Sequence, residues 1–264
     1  MLTDFSTRVL VGFSMLLVGV VPGVLWHHWK RDAGGTGGGV VRALLWGAAA
    51  WGLGVAAKVA WALPLNAPVK RGLTAALGGG AGDVAFWIYI GLLTGVFESG
   101  AALLVLRRTK IMSASPREAI AFGLGFGGVE AVILGLASLV VAVALVAAPQ
   151  ALPEPLRSEA GAGIVLIGVA ERLSTIVVHL FAALLIVQGA RVGQPRRWFV
   201  ASLALKTAVD GIAARAILHS NVKASLAKLT IFEIELGLAA VVLLGATIWL
   251  VRSWQRSSTA VAVA

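Results

Sequence analysis

Residues 119–148 read AIAFGLGFGGVEAVILGLASLVVAVALVAA, thirty consecutive residues with a single charge, Glu130. At about 1.5 Å per residue this run exceeds the ~20 residues needed to cross ~30 Å of hydrocarbon. Its apolar residues are continuous rather than alternating, which indicates a helix and not a barrel strand. The one charge is the informative residue. A carboxylate at the bilayer centre costs about 2.5 to 3.5 kcal/mol even on lenient insertion scales, so Glu130 is expected to face a polar interior.

Working outward, similar apolar runs occupy most of the 264 residues. We read seven spans, eight being the upper bound: Val9–Trp26, Val41–Leu63, Val84–Leu106, Ala119–Ala148, Gly161–Gln188, Trp198–Leu218 and Thr230–Trp249. Breakers mark the joints: the Gly34–Gly39 run, Gly78-Gly79-Gly80-Ala81-Gly82, and Pro149 with Pro153 and Pro155. The glycine run lacks the Lys-Ser/Thr of a phosphate loop and reads as a linker. Val9–Trp26 is followed by His27-His28-Trp29-Lys30-Arg31 instead of a small-residue cleavage site, so a retained first helix is expected rather than a secretory signal. The expected fold is an all-α transmembrane bundle, one membrane domain over residues 1–264.

Composition agrees. The chain is 59% hydrophobic and 13% charged, against roughly 25% charged in soluble domains, too little to cover a water-facing surface. The absence of cysteine excludes disulfides, iron–sulfur clusters and thiol catalysis. Arginine outnumbers lysine 15 to 7, which suggests a GC-rich bacterial genome. The net charge of +10 is read as anchoring to an anionic lipid surface, with no nucleic acid as partner, because no basic stripe interleaves with aromatics. Trp26, Trp29, Trp198, Trp249 and Trp254 are expected near the interfaces. The first, third and fifth loops with the C-terminus carry 12 Lys and Arg, counting Arg42 with the first loop, against 6 in the other loops and the N-terminus. Positive loops stay in the cytoplasm, so the expected orientation in the plasma membrane is N-terminus out and C-terminus in.

Depth sorts the buried charges. Counted from the basic loops at 1.5 Å per residue, Glu98 and Lys206 lie about 13 to 14 Å deep, and Glu130, His179 and Asp210 about 18 to 20 Å. Four helices thus bring polar groups to one slab, where Glu98, Glu130, His179 and Asp210 are expected to face one cavity. Glu171 and Arg172 fall about 30 Å from that face, outside the slab if their helix is straight. Gly123, Gly127 and Glu130 share a face, and small residues there let another helix approach closely. Gly91, Gly95 and Ser99 form a similar stripe beside Glu98. Lys206 and Asp210, at i and i+4, have the spacing of an ion pair, the favoured reading of the two. Lys58, Glu233 and Glu235 form no constellation and read as locally paired or snorkelling. His27 and His28, adjacent and so on different sides of a helix, read as interfacial.

The stretch Phe122-Gly-Leu-Gly-Phe126-Gly-Gly-Val-Glu130-Ala131, the later Glu171-Arg172 followed by His179, and Lys206-Thr-Ala-Val-Asp210 resemble the YhfC family of intramembrane metallopeptidases, grouped with the CAAX-prenyl-protease and bacteriocin-processing membrane peptidases. The resemblance covers a peptidase-like core of about Val84 to His219. It implies a membrane-associated peptide or protein substrate, a divalent metal such as zinc, catalytic roles for Glu98, Glu130, Glu171, His179 and Asp210, and metal ligation by Glu130, His179 and Asp210. The family pattern runs from a paired Glu motif through Gly-His-Gly-x-x-Glu-Ala and Glu-Arg…His to His-x-x-x-Asp. This chain departs from it at Ser99 for the second Glu, Phe126 for the first His and Lys206 for the last His. Phenylalanine cannot coordinate, and an ammonium has no lone pair. The sequence therefore points to a peptide-processing membrane protein or to a catalytically degenerate descendant that binds membrane peptides or partner helices. A small ion- or proton-coupled transporter and a structural scaffold are the alternatives.

Overall fold

The computed structural model describes residues 4–29, 38–109, 111, 115–153, 163–218 and 226–263. Among these are seven α-helices and no strand: α1 (Asp4–Trp29), α2 (Gly38–Leu77), α3 (Gly79–Arg108), α4 (Pro116–Ala147), α5 (Gly163–Arg191), α6 (Pro195–Leu218) and α7 (Leu226–Val263), with a 3-10 turn at Pro149–Ala151. Six are long and apolar enough to cross a membrane. The exception is α6, where Lys206, Asp210 and Arg215 lower the apolar content. The protein is a helical membrane bundle whose surroundings are lipid. Large apolar side chains such as Phe13 and Leu17 on α1, Val140 and Val146 on α4 and Val241 and Val242 on α7 coat its exterior.

Local chemistry sets several boundaries. Ser115 caps α4: its hydroxyl accepts from the Glu118 amide at 3.3 Å, and the Glu118 carboxylate accepts from the Ser115 amide at 3.2 Å. Only Gly78 separates α2 from α3, at φ 79°, a left-handed value that glycine adopts without cost. Gly193, at φ 67°, does the same between α5 and α6. The expected end of the second span at Leu63 is corrected, because α2 runs 40 residues through Pro64 and Pro68. Membrane helices tolerate proline where neighbours satisfy the freed carbonyls, and the far end of α2 packs on α3, with Gly82 against Thr74. Gly38 and Gly39 of the expected linker form the start of α2. The rest of that run, Pro155, His219 and the Trp29 side chain lie outside the described residues.

Helix directions follow from which residues meet. The Ser138 hydroxyl donates to the Arg8 carbonyl at 3.0 Å, while the Trp26 indole donates to the Arg117 carbonyl at 2.9 Å, so α1 and α4 are antiparallel. Lys58 meets Thr94 and Trp61 meets Tyr89 across α2 and α3. Ser99 bonds Ser202 at 3.2 Å between α3 and α6. Gly123 abuts Leu180 and Gly127 abuts Ile176 between α4 and α5. Successive helices therefore alternate, and the C-terminal ends of α1, α3 and α5 share one end of the bundle, where Arg107, Arg108, Arg117 and Arg191 lie. Trp254 of α7 is at that end too, stacked on Arg191 and bonded to Gln188.

Close glycine contacts hold α4 at the centre. A Cβ at Gly125 would collide with the Leu44 carbonyl, one at Gly47 with that of Phe122, and one at Gly128 with that of Gly19. The small stripe on α3 behaves likewise, since Gly91 meets Thr207 and Gly211 of α6. These contacts carry Glu98, Glu130, His179 and Lys206 into one layer.

Candidate functional site: an ion-paired pocket between the helices

Glu98, Glu130, Glu171, His179 and Asp210 line one pocket of about 210 Å³ with Lys58, Arg172, Lys206 and Trp51. The common cavity expected for Glu98, Glu130, His179 and Asp210 is therefore observed. The ion pairs inside it are not those that spacing suggests. Lys206 reaches Glu98 Oε2 at 2.9 Å, so its expected pairing with Asp210 is corrected. An i, i+4 spacing allows a pair, but the carboxylate of α3 faces the Lys206 ammonium across the close contact between α3 and α6. Lys58 was expected to be partly paired or snorkelling outside any constellation, yet its Nζ lies 2.6 Å from Glu98 Oε1 and 3.2 Å from Thr94 Oγ1, inside the pocket. Glu98, with a side chain 4% exposed, thus has one ammonium on each oxygen.

Glu130 is held in the same manner from α5. Arg172 Nη1 donates to its Oε1 at 2.5 Å, and His179 Nε2 lies 2.9 Å from its Oε2. The other arm of the guanidinium bonds Glu171. Glu171 and Arg172 therefore join the layer from which straight-helix depth excluded them, because the long Arg172 side chain spans the difference. His179 Nδ1 is buried without a hydrogen-bond partner, 3.9 Å from Glu98 Oε2. His179 thus stands between the two buried carboxylates. Glu233 of α7 is buried with an unpartnered Oε2, and its neighbour Phe232 lines the pocket.

The two departures from the histidine pattern touch one another. Lys206 Nζ stands 4.1 Å from the centroid of the Phe126 ring, which packs 5.1 Å from the His179 imidazole. A buried ammonium over an aromatic face gains about 2 kcal/mol or more when desolvated. Phe126 and Lys206 are thus one compensated exchange in space.

A profile of the YhfC intramembrane metalloprotease family matches residues 42–234. The chain belongs to the YhfC intramembrane metalloprotease family. That match takes in α2 with Lys58 and the start of α7 with Glu233, beyond the stretch whose motifs suggested it. No curated protein and no solved structure matches the chain.

Membership implies a metal, typically zinc, and the donor set can be tested for it. Among the described residues no three His, Asp or Glu side chains gather closely enough to hold a metal. The expected set Glu130, His179 and Asp210 is not assembled as ligands, because both Glu130 oxygens are engaged by Arg172 and His179. Glu98 is saturated by two ammonium groups. A cation would have to displace resident cations. The residues present do not fit the metal that YhfC membership implies.

The arrangement instead neutralises charge at depth. Breaking a buried pair from one side leaves an uncompensated charge and costs about 3 to 5 kcal/mol, so each member of the network depends on its partners. Sequence reasoning missed Lys58. The available signal was its lone charge in an apolar span, since an ionisable group at that depth requires a partner.

Proposed function

We propose that this YhfC member is a metal-independent, non-hydrolytic protein that holds a membrane-embedded peptide segment in the pocket. One observation carries the reading: Lys206 lies on Glu98 and over Phe126, so an ammonium and a phenyl ring stand at the two positions where the family pattern has histidines. Two of the carboxylates expected to activate water, Glu98 and Glu130, accept from Lys58, Lys206, Arg172 and His179 instead. General-base chemistry needs an unengaged oxygen within reach of water, and each oxygen of these two already carries a donor. The pocket walls still include apolar side chains, Val55, Val178 and Leu236 among them, suited to a peptide.

The placement proposed is the plasma membrane, with the N-terminus outside and the connections after α1, α3 and α5 in the cytoplasm. The gathering of Arg107, Arg117, Arg191 and Arg197 toward one end supports it. In the cysteine-free background, an Ala114→Cys variant should resist impermeant thiol reagents added outside intact cells. Labelling from outside would reverse the orientation.

The test of function is zinc analysis and peptide cleavage on purified protein, beside Phe126→His/Lys206→His and Glu130→Gln variants. Wild type should carry far less than one zinc per chain and leave a bound hydrophobic peptide intact, and the double variant should gain metal affinity. Stoichiometric zinc in the wild type that is lost in Glu130→Gln, or cleavage that the double variant abolishes, would overturn the reading.

A further inference from the structure

The charged pocket continues into a second cavity of about 390 Å³, and Lys58, Thr94, Glu171, Arg172 and Asp210 line both. Ala213 of α6 is shared as well, and beyond these residues the second cavity is walled by Val59, Ala62 and Asn66 of α2, Leu93 of α3 and Ala214 of α6. The helices α2 and α6 both border it without packing on each other as neighbours. The cavity therefore sets apolar walls beside a charged end, which it shares with the first pocket.

Asp210 marks that end. The cations around it are committed elsewhere: Lys58 from α2 and Lys206 from its own helix to Glu98, and Arg172 from α5 to Glu130 and Glu171, while His179 is shared with Glu130. Among the described residues Asp210 has no ion-pair partner within 4.0 Å. Three cations face four carboxylates, and of the four Asp210 is the one left without an ion pair, while it lines both cavities. On the α7 side Glu233, buried with an unpartnered oxygen, adds a further acceptor and no cation.

The second cavity has an orphan of its own. Asn66 Oδ1 is buried with no hydrogen-bond partner and lines the second cavity. Buried acceptors are almost always satisfied, so an unpaired one in a cavity marks the place of a missing donor.

We propose that Asp210 docks a primary ammonium carried on an apolar chain, specifically the side chain of a lysine in a membrane-embedded peptide, with Asn66 accepting from that peptide's backbone amide. The inference rests on the peptide-holding reading above and assigns its chemistry. An ammonium supplies the counter-ion, its methylene stem suits walls of Val59, Ala62, Leu93 and Ala213, and it requires no cluster of three ligands. A divalent metal would require such a cluster.

The experiment uses the full-length protein in nanodiscs and four fluorescent or competing probes. These are a leucine- and alanine-rich hydrophobic peptide with one central lysine, its norleucine twin, dodecylamine and dodecanol. The lysine peptide should bind on the order of tenfold more tightly than its twin, and dodecylamine similarly more tightly than dodecanol. Asp210→Asn should erase both preferences, Asp210→Glu should keep them, and Asn66→Ala should weaken the peptide while sparing dodecylamine. Thermal midpoints of the variants establish that they are folded. Equal binding of lysine and norleucine peptides, or preferences unaffected by Asp210→Asn, would overturn the ammonium site and leave peptide binding standing. Asp210-dependent binding of dodecylamine with neither peptide bound would keep the ammonium site and overturn the peptide reading.

Discussion

Two faces of α4 solve opposite problems. Toward α1 and α2, Gly125, Gly128 and Gly135 bring backbones into direct contact, with the Leu44, Gly19 and Gly12 carbonyls where side chains would otherwise stand. Toward α5 the same helix carries Glu130, held by Arg172 and His179 at the edge of a polar cavity. In lipid the first kind of contact is favoured by van der Waals packing alone, since tails are as apolar as leucine. The second is dictated by the cost of leaving any charge unpaired. The comparison teaches that steric fit fixes where the helices are, and electrostatic compensation fixes what the interior can do.

The comparison can be broken at its strongest point first. Gly125→Val forces a side chain into the Leu44 carbonyl, and we expect destabilisation beyond the ~1 to 3 kcal/mol of ordinary overpacking, read as loss of folded protein after detergent extraction. A well-folded variant would show that the seam adapts. Next is Glu130→Ala, which removes the partner of Arg172 Nη1 and of His179 while Glu171 keeps the other arm of the guanidinium, and should cost about 3 kcal/mol, measured by denaturant titration in micelles. An effect under about 1 kcal/mol would place water, not Glu130, as the partner of that guanidinium.

Smaller effects sharpen the picture. Lys206→Met removes one of two ammonium groups on Glu98 and the contact over Phe126, and we expect about 2 kcal/mol. Lys58 still holds the other oxygen, so the loss should be less than that of Glu130→Ala, and combining it with Lys58→Met should cost more than the sum of the single changes. Additivity would show that the two ammonium groups do not share a burden. Last, Val140→Ala on the lipid-facing side of α4 should shift the melting transition by no more than about 0.5 kcal/mol.

Legibility varied with the range of the interaction. The face of Gly123 and Gly127 announced a close helix, and α5 is that helix. Gly125 and Gly128 gave no such direction, because a helix rich in glycine presents small residues on several faces and sequence does not say which neighbour takes which. Lys206 and Asp210 suggested a local pair by spacing, yet Glu98, more than a hundred residues away, won Lys206. The apolar span was read as ending at Leu63, and packing against α3 kept α2 helical through Pro64 and Pro68 to Leu77.

By itself the sequence determined that this chain is a helical membrane bundle, roughly where each span lies, which family its motifs resemble and which charges share a depth. Those properties follow from hydrophobic length, from 1.5 Å of rise per residue and from residue types at fixed local intervals. Only the tertiary structure decided that Phe126 and Lys206 are one contact, that Lys58 and Arg172 close the network, and that Asp210 and Asn66 are left facing a cavity. Ion pairing inside lipid is settled by which carboxylate a cation can reach across a helix contact, a distance between helices that no interval along one chain contains.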